Sequence, residues 1–308
     1  MAMLTVTLVA TFAAAAMWQQ WRAVEVERAE RARVQAGWIL TGALDWARLI
    51  LREDARSGGA DHLNEPWAVP LQEARLSTFL AAGTDGAAAV ADGGDELDAF
   101  LSGEIIDLQS KLNLTNLIDG GRVHPASRIA FERLFDLLGL PAGELSRLIE
   151  NLRFARDPSA DNRSGAFAPL APQRLAQITW LGVSPETAAA LEPYVTLLPM
   201  NTPVNINTAS EQVLAASSPG LSLADAQRLV AERANQHFRS LADAQRVLGG
   251  GGGFDDGQHS VASRYFEVRG RLRLDHLTVE ERSVVQRDGL QVRVLDRVRG
   301  AAVAGTGR

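Results

Sequence analysis

Histidine is the side chain that most often carries acid–base or metal chemistry near neutral pH. The sequence contains five: His62, His124, His237, His259 and His276. They are scattered, and no pair shows the helical i, i+4 spacing, with a carboxylate, of a zinc site. Cysteine is absent, which excludes disulfides, thiolate metal sites and cysteine nucleophiles. The sequence therefore does not predict a metalloenzyme or a thiol-dependent enzyme.

Two further signatures of catalysis are missing from the sequence. A phosphate-binding loop needs Gly-Lys-Ser or Gly-Lys-Thr before a helix, but the single lysine, Lys111, lies between Ser110 and Leu112. The Gly-x-Ser-x-Gly elbow of common hydrolases does not occur either. We therefore expect no enzyme activity, and a membrane-anchored enzyme of unknown type is the alternative.

Acidic residues beside glycines could bind a hard cation such as calcium, which prefers oxygen ligands. One group comprises Asp92, Asp95, Glu96 and Asp98, and the other comprises Asp255 and Asp256. Neither group matches a calcium loop of fixed spacing, and solvated loop acids are the alternative interpretation. The candidate metal ligands are therefore Asp92, Asp95, Asp255 and Asp256, and the ligand set stays open.

The longest element predicted from the sequence begins with an apolar N-terminal stretch. No charged residue occurs from Met1 to Trp21, and at about 1.5 Å per residue a helix over 1–18 roughly spans a bilayer. A secretory signal peptide is the competing interpretation, but no Lys or Arg precedes residue 22 to form its basic region. We predict a transmembrane helix over 1–21, with Trp18 and Trp21 at the interface.

The same helix is predicted to continue to residue 54, because residues 22–54 contain no proline. An amphipathic stripe follows the later part, formed by Ala36, Leu40, Ala43, Ala47 and Ile50. A single helix of about 54 residues would be roughly 80 Å long. An ordinary buried helix followed by a separate surface helix is the alternative.

The C-terminal part reads as a three-stranded antiparallel meander. Residues 263–274 alternate apolar and polar side chains, and the strands over 278–287 and 290–299 flank Asp288-Gly289, a strong hairpin signal. The apolar face of this meander needs a cover, which the amphipathic half of the first helix can supply. Before it, we predict a short strand at 103–109, preceded by irregular sequence with a mobile loop at 82–98.

Between the strand and the meander the pattern is helical. Candidate helices cover residues 125–138, 141–155, 172–180, 185–192, 209–216, 222–234 and 240–248. Two segments repeat one plan, in which paired asparagines precede a helix, a Gly or Pro turn and a second helix. In the second copy Asn207 or Thr208 is the expected helix cap, with Glu211 as the early acid. A glycine run at 249–253 is predicted to be a flexible loop.

Six tryptophans occur in the chain. Beyond the two at the expected membrane interface, four are predicted to lie in the core: Trp38, Trp46, Trp67 and Trp180.

Helix-hairpin-helix pairs also occur in DNA-binding proteins, so nucleic-acid binding is the main rival interpretation. Residues 201–246 contain four arginines and four acids, however, and are therefore neutral. Their hairpin reads Pro219-Gly220-Leu221-Ser222, without two close glycines and a following basic residue. We therefore expect no nucleic acid as partner.

Three phrases and one departure carry a family resemblance. The phrases are Asp61-His62-Leu63-Asn64-Glu65-Pro66-Trp67-Ala68, Gly103-Glu104-Ile105-Ile106-Asp107-Leu108-Gln109 and Pro203-Val204-Asn205-Ile206-Asn207-Thr208-Ala209. Position five is Thr5, where most type IV pilin-like proteins have glutamate. In these respects the chain resembles the minor pseudopilins of type II secretion in the general secretion pathway protein K family.

The resemblance implies an α+β, type IV pilin-like fold: a long N-terminal helix packed on an antiparallel sheet, with a large all-α insertion of helix-hairpin-helix or SAM-like type. The expected divisions are 1–54 for the helix (1–21 transmembrane), 55–110 for the first part of the core, 111–258 for the inserted domain, 259–300 for the β-meander and 301–308 for a flexible tail. Met1 and Thr5 would serve N-terminal processing and filament packing, and Met1 is either the mature first residue or a trimmed start.

The resemblance also implies a function. The chain would be a minor pseudopilin at the tip of the type II secretion pseudopilus, capping it and helping to initiate its assembly for protein export across the outer membrane. Its partners would be proteins I and J of the same pathway, the major pseudopilin, the prepilin peptidase, the inner-membrane assembly platform and membrane lipid. It would cross the inner membrane once, place its head in the periplasm and bind calcium. A membrane-tethered DNA-binding or DNA-uptake protein is the alternative.

Overall fold

The computed structural model describes residues 2–78, 98–156, 169–249, 253–274 and 277–301. Within these ranges the helices are α1 (Ala2–Ser57), α2 (Pro125–Leu138), α3 (Ala142–Ala155), α4 (Pro185–Leu191), α5 (Glu211–Ser217), α6 (Leu223–Asn235) and α7 (Leu241–Val247). The strands are β1 (Leu71–Arg75), β2 (Ala99–Asp107), β3 (Leu112–Asn113), β4 (Ile118–Asp119), β5 (Arg122–Val123), β6 (Val195–Thr196), β7 (Val204–Asn205), β8 (His259–Ser260), β9 (Tyr265–Leu274), β10 (Leu277–Asp288) and β11 (Gln291–Ala301). Short 3-10 helices cover Pro66–Ala68, Leu108–Ser110, Leu114–Leu117 and Leu175–Leu181.

Helix α1 is one unbroken rod of 56 residues, which confirms the predicted continuous helix. Residues 2–31 are exposed on all sides, whereas the second half turns one stripe inward. The buried residues of that stripe are Ala36, Leu40, Leu44, Ala47 and Leu51. The rod ends at Ser57, next to Gly58 and Gly59, both of which have positive φ angles. One helix thus presents an unpacked first half and a packed second half.

The buried stripe of α1 lies on an antiparallel sheet with the strand order β1-β2-β9-β10-β11. Phe266, Val268 and Leu272 of β9 face the helix, as the alternation of that strand predicts. The three-stranded meander is therefore confirmed, but it is part of a five-stranded sheet. The prediction of irregular sequence before residue 103 was wrong for β1 and for the start of β2.

Strand β2 also ends earlier than predicted. The side chain of Asp107 accepts a hydrogen bond from the backbone N–H of Gln109 and so caps a 3-10 turn at Leu108–Ser110. That local bond replaces the ladder, so the strand stops at Asp107 and not at residue 109.

Two paired glycines lie where α1 comes close to the sheet. Gly103 of β2 lies opposite Gly270 of β9. A Cβ atom on Gly270 would lie 3.2 Å from Cδ2 of Leu40, and one on Gly103 would lie 2.7 Å from the carbonyl oxygen of Arg269. Bare backbone at these positions lets the helix and the strands pack at their observed distance.

The inserted region has a separate hydrophobic core, which runs from Leu112 to Phe254 and is built mainly from helices α2 to α7. Helix α2 packs on α5, so the first members of the two helix pairs are neighbours. The predicted helix at 172–180 is a 3-10 helix at Leu175–Leu181. Helix α5 is capped by Ser210, whose hydroxyl accepts from the N–H of Val213, so the predicted cap at Asn207 or Thr208 was wrong.

The predicted core position is confirmed for one tryptophan of four. Trp67 is 1% exposed and meets Phe266 edge-on, at 5.2 Å between ring centroids. Trp38, Trp46 and Trp180 are 74%, 44% and 51% exposed, so their predicted burial was wrong. The reason for Trp38 is helical phase: at about 100° per residue it lies on the face opposite Ala36.

We expect Gly103→Ala to destabilise the folded chain by about 1–3 kcal/mol, because the added Cβ meets the backbone oxygen of Arg269. Gly42→Ala is the matched control: no atom lies within 4 Å of the new Cβ, and alanine favours a helix interior over glycine by about 0.5–1 kcal/mol. Denaturant unfolding of the full chain in detergent measures both changes. Equal effects in the two variants would contradict the close packing at Gly103.

Candidate functional site

The first candidate functional element is the exposed first half of α1. An 18-residue window of this helix has a mean hydropathy of 1.5 and none of it is buried, so by length and composition it can cross a membrane. The alternative of an ordinary buried helix does not fit a window that packs against nothing. Thr5 donates its hydroxyl to the carbonyl of Ala2 at 2.8 Å, and Thr11 donates to that of Leu8 at 2.8 Å. These hydroxyls are satisfied within the helix, as a lipid environment requires.

Beyond Trp21 the helix carries arginines and acidic residues in similar number. Its charges pair along the helix surface, as in Arg31 with Glu27 at 2.8 Å and Arg33 with Glu30 at 2.8 Å. Trp18 and Trp21 contact each other at 5.4 Å between ring centroids, where the apolar stretch ends. This composition gives a sharp boundary between an apolar segment and a water-exposed one.

The second candidate element is a buried polar cluster where the insert joins the sheet. Its centre is Asp107, whose carboxylate is buried at the end of β2. One oxygen accepts from the N–H of Gln109 at 2.7 Å. The other accepts from the hydroxyls of Thr208 and Ser263, both at 2.6 Å, and from the amide of Asn205 at 3.1 Å. Four donors from three parts of the chain therefore meet on one carboxylate.

An arginine extends this cluster to helix α1. Arg287 of β10 bonds Asp54 near the end of α1 at 2.6 Å and also bonds the carboxylate of Asp61. Asp61 accepts from the N–H of Ser263 at 2.6 Å. The carbonyl of Asp61 accepts from the amide of Asn205 at 3.1 Å. We call the whole cluster the junction, defined by Asp54, Asp61, Asp107, Asn205, Thr208, Ser263 and Arg287.

Burial controls the protonation of the junction acids. Burial raises the pKa of Asp107 to about 6, against the lowering effect of its hydrogen bonds from Ser263 and Thr208. Burial also raises the pKa of Asp61, against the charge of Arg287. The pKa of Asp54 is raised by burial and then by the charge of Glu65. The low-dielectric site therefore holds protons more readily than a surface carboxyl does.

Three carboxylates of this region lie close enough to hold a metal ion. The ligand atoms of Asp54, Asp61 and Glu65 fall within 4.8 Å of one another. The positive charge here is already supplied by Arg287, and Glu65 accepts from the indole N–H of Trp67 at 2.7 Å. These contacts account for the cluster through ion pairing and hydrogen bonding, so the residues do not fit a cation site.

The sequence-based metal candidates are not brought together in the part of the chain that the structure describes. Asp255 closes its own turn by accepting from the N–H groups of Gly257 and Gln258, at 2.8 and 3.1 Å. Neither Asp255 nor Asp256 joins a group of three acidic or histidine ligands among the described residues. Asp92 and Asp95 lie outside the described residues, as do Met1 and residues 82–97 of the loop predicted at 82–98.

A serine–histidine pair in which both residues are buried has the distance of a catalytic pair but not its chemistry. Nε2 of His259 lies 3.2 Å from the hydroxyl of Ser217, and both residues are buried. Nδ1 of His259 accepts the N–H of Asp255, so the ring proton is on Nε2 and points at the serine oxygen. Burial lowers the pKa of His259 to about 4. The pair is therefore a neutral structural contact and not a base beside a nucleophile.

The remaining asparagines of the repeated motif organise the insert. Asn113 bonds the N–H of Leu198 at 3.1 Å and the carbonyl of Met200 at 2.8 Å. Asn207 bonds both the N–H and the carbonyl of Phe238, at 2.9 and 2.8 Å. Each copy of the motif thus uses an asparagine side chain to fix a distant loop.

The hairpin between α5 and α6 is bound by side chains of the insert. Arg133 donates to the carbonyls of Ser218 and Leu221, at 2.5 and 2.8 Å. Arg233 is buried and donates to the carbonyl of Ile206, and Arg228 donates to that of Val247. These guanidinium groups support the fold of the insert and are not arranged as a phosphate-binding surface.

Comparison with known proteins identifies the family. Two segments, residues 110–200 and 204–262, match family models described as type II secretion system (T2SS), protein K. The type II secretion system protein K of Pseudomonas aeruginosa is 30% identical over 300 residues, which cover 88% of this chain and 83% of that protein. The chain belongs to the type II secretion system protein K family.

The fold is shared with a solved structure of the same machinery. The crystal structure of the GspK–GspI–GspJ complex from the type 2 secretion system of enterotoxigenic Escherichia coli contains a chain that matches with a TM-score of 0.64 and 18% identity. The match covers 89% of this chain and 99% of that chain. The predicted pilin-like fold is confirmed, and the chain is a minor pseudopilin of type II secretion. Its apolar N-terminal helix fits a single-pass membrane anchor.

The junction explains why three separate phrases mark this chain. Asp61 lies in the first phrase, Asp107 in the second, and Asn205 and Thr208 in the third. The sequence shows the three phrases but does not show that their side chains meet. A signal was present at Asp107, because an acid that directly follows Ile105-Ile106 at the end of a buried strand requires partners.

We expect Asp107→Asn to cost about 1–3 kcal/mol of folding stability or more. An amide NH2 in place of one carboxylate oxygen would face either the N–H of Gln109 or the donors of Thr208 and Ser263. Denaturant unfolding of the full chain in detergent gives the loss. The control is Asp119→Asn at an exposed position, which should change stability by less than about 0.5 kcal/mol. A similar loss in both variants would contradict the role of Asp107.

The wild-type chain and Asp107→Asn also test the raised pKa of Asp107. The pKa is about 6 in the folded chain against an ordinary value of 3.8, so between these pH values the folded chain retains a proton that the unfolded chain has released. The stability from this proton is present at low pH and is lost as pH rises through about 6. Asparagine does not titrate, so the deficit of Asp107→Asn should be larger at pH 4 than at pH 7. An equal deficit at both pH values would show that the carboxyl titrates normally.

Proposed function

We propose that this chain is the tip subunit of the type II secretion pseudopilus, where it caps the filament and helps to initiate its assembly. The observation that carries the proposal is the position of the insert. The junction, through Asp54 and Asp61, ties the insert to the end of α1 that is opposite the apolar segment. A bulky helical domain at that end would block the addition of another subunit above it. Capping then follows from shape and not from a chemical reaction.

Thr5 supports the same position. In type IV pilin-like proteins the acid at position five pairs with the amino terminus of the neighbour ahead, and a subunit at the tip has no such neighbour. The hydroxyl of Thr5 is satisfied within its own helix at 2.8 Å from the carbonyl of Ala2. The first turn therefore carries no carboxylate that needs an external partner. Met1 and Thr5 serve processing and filament packing in this proposal.

The partners in this proposal are proteins I and J of the same pathway, since the E. coli chain of similar fold was solved in a complex with GspI and GspJ. The apolar segment holds the chain in the inner membrane, and the head lies in the periplasm until assembly. The prepilin peptidase, the assembly platform and the major pseudopilin act on or beside the same helix. No step of this function needs a catalytic group.

An exposed apolar face on the second half of α1 supports a helix-to-helix contact with these partners. Val34, Trp38 and Leu49 lie on the side of the helix that points away from the sheet, and all three are exposed. Residues 34, 38 and 49 fall within about 60° of one another around the helix axis. Tryptophan is enriched among residues that dominate binding energy.

Complex formation with purified proteins I and J tests the proposal. We expect the wild-type full chain to bind them, and Trp38→Ala to weaken binding by more than about tenfold, because the exposed indole contributes contact area without stabilising the fold. Calorimetry in detergent gives both affinities. Leu137→Ala, an exposed apolar site on α2, is the control and should bind as wild type does. No binding by the wild-type chain would contradict the tip role, and unchanged binding by Trp38→Ala would contradict only the proposed face.

Calcium binding stays a prediction that follows from the family resemblance. The described residues at Asp255 and Asp256 gather no third acidic or histidine ligand, and Asp92 and Asp95 lie outside the described ranges. Addition of Ca²⁺ to the metal-free full chain should raise its melting temperature, because a ligand that binds only the folded state stabilises it. An unchanged melting temperature at millimolar Ca²⁺ would remove calcium from the proposed function.

A further inference from the structure

Two histidines from different parts of the fold stack face to face. The ring of His62, in the segment after α1, lies 3.8 Å from the ring of His237 between centroids, and the ring planes are 11° apart. His237 follows helix α6 in the second helix pair of the insert. The stack therefore joins the pilin-like core directly to the insert. It adjoins the junction, since His62 directly follows Asp61, but both rings are only partly buried, whereas the junction residues other than Asp54 are buried.

The surrounding contacts fix the proton of one ring. Nδ1 of His62 accepts the N–H of Asn64 at 3.2 Å, so the neutral ring carries its proton on Nε2. The amide of Asn64 also reaches the carbonyl of Ala234 at 3.5 Å, beside the stack. On the other side, Phe238 is held by Asn207, so His237 is attached to a fixed point of the insert. Protonation of Nδ1 would remove the acceptor that orients this segment.

We propose that the His62–His237 stack is a pH-sensitive latch that holds the second helix pair of the insert against the pilin-like core and opens when both rings become cations. Two neutral imidazoles stack favourably, whereas two imidazolium rings at this separation repel each other. The latch needs no metal, because parallel rings cannot direct their nitrogen lone pairs to one ion. It is independent of the tip role, since it depends only on contacts within this chain.

The charged groups around the rings set the direction of the response. Burial lowers the pKa of both histidines. A positive charge on His62 lowers the pKa of His237 further. Arg239 acts in the same direction on His237. Asp54 and Asp61 raise the pKa of His62, but their charges are shared with Arg287. The rings are therefore neutral at pH 7 and become charged only on acidification.

Acid removes a charge from the junction, whereas it adds charges to the histidine stack. Asp107 takes up a proton as pH falls through about 6, and protonation of a buried carboxylate removes a charge from a low-dielectric site. Acid thus relieves a buried charge at the junction while it creates two charges in the stack. The predicted result is local opening at the stack with an intact junction behind it.

Hydrogen exchange of the full chain in detergent, followed by mass spectrometry over a pH series from 7.5 down to 4 and corrected for intrinsic rates, tests the latch. We expect peptides over 61–65 and 234–240 to exchange several-fold faster at the acid end of the series in the wild type, while a peptide over 105–109 stays protected. In His237→Phe a ring that cannot be charged keeps the stack, so exchange over 234–240 should be slow across the pH series. In His62→Asn the side-chain oxygen still accepts from Asn64 but the stack is lost, so exchange should be fast across the series.

Three results would overturn the latch. The first is wild-type exchange at 61–65 and 234–240 that does not change with pH. The second is an acid response in His237→Phe as large as that of the wild type, which would place the titrating group elsewhere. The third is loss of protection at 105–109 together with the stack, which would mean that acid opens the whole junction.

Discussion

The architecture depends on a buried carboxylate that, among the residues the structure describes, has only neutral donors in direct contact. Asp107 is tolerated in the interior only because Gln109, Asn205, Thr208 and Ser263 all direct donors at it. Three of those donors, from Asn205, Thr208 and Ser263, come from segments far from Asp107 in sequence, so these segments cannot be placed independently of it. A partly assembled head would leave a charge without donors, and the arrangement therefore favours one relative position of core and insert.

Helix α1 has two halves of different composition, and the first half fits a membrane anchor. The first half is apolar on every side and satisfies its own hydroxyl groups, whereas the second half is apolar on the sheet side and on part of the outer side. The packed half depends on close approach to the sheet, which Gly103 and Gly270 permit. The two halves of α1 therefore share one backbone, but only the second half is held by packing against the sheet.

Local patterns in the sequence predicted the elements that have strong periodicity. The unbroken helix, the meander around Asp288-Gly289 and the paired helices of the insert all follow from spacing and turn residues. Strand β1 was missed because it is a half-buried edge strand with no clear alternation. The exposed position of Trp38 was missed because hydrophobicity was given more weight than its phase relative to Ala36 and Leu40. The junction was missed for a different reason, since its members are far apart in sequence.

The insert leaves and re-enters the sheet at one point, where the side chain of Gln109 accepts the N–H of Arg264 at 2.7 Å. Tension applied along α1 therefore passes through the helix–sheet core and through Arg287, without crossing the interior of the insert. The helical domain is therefore attached to the side of a continuous helix–sheet core. A force applied along the helix would move this domain with the core, and the domain can differ in size or sequence, apart from its junction residues Asn205 and Thr208, without changing the contact between helix and sheet.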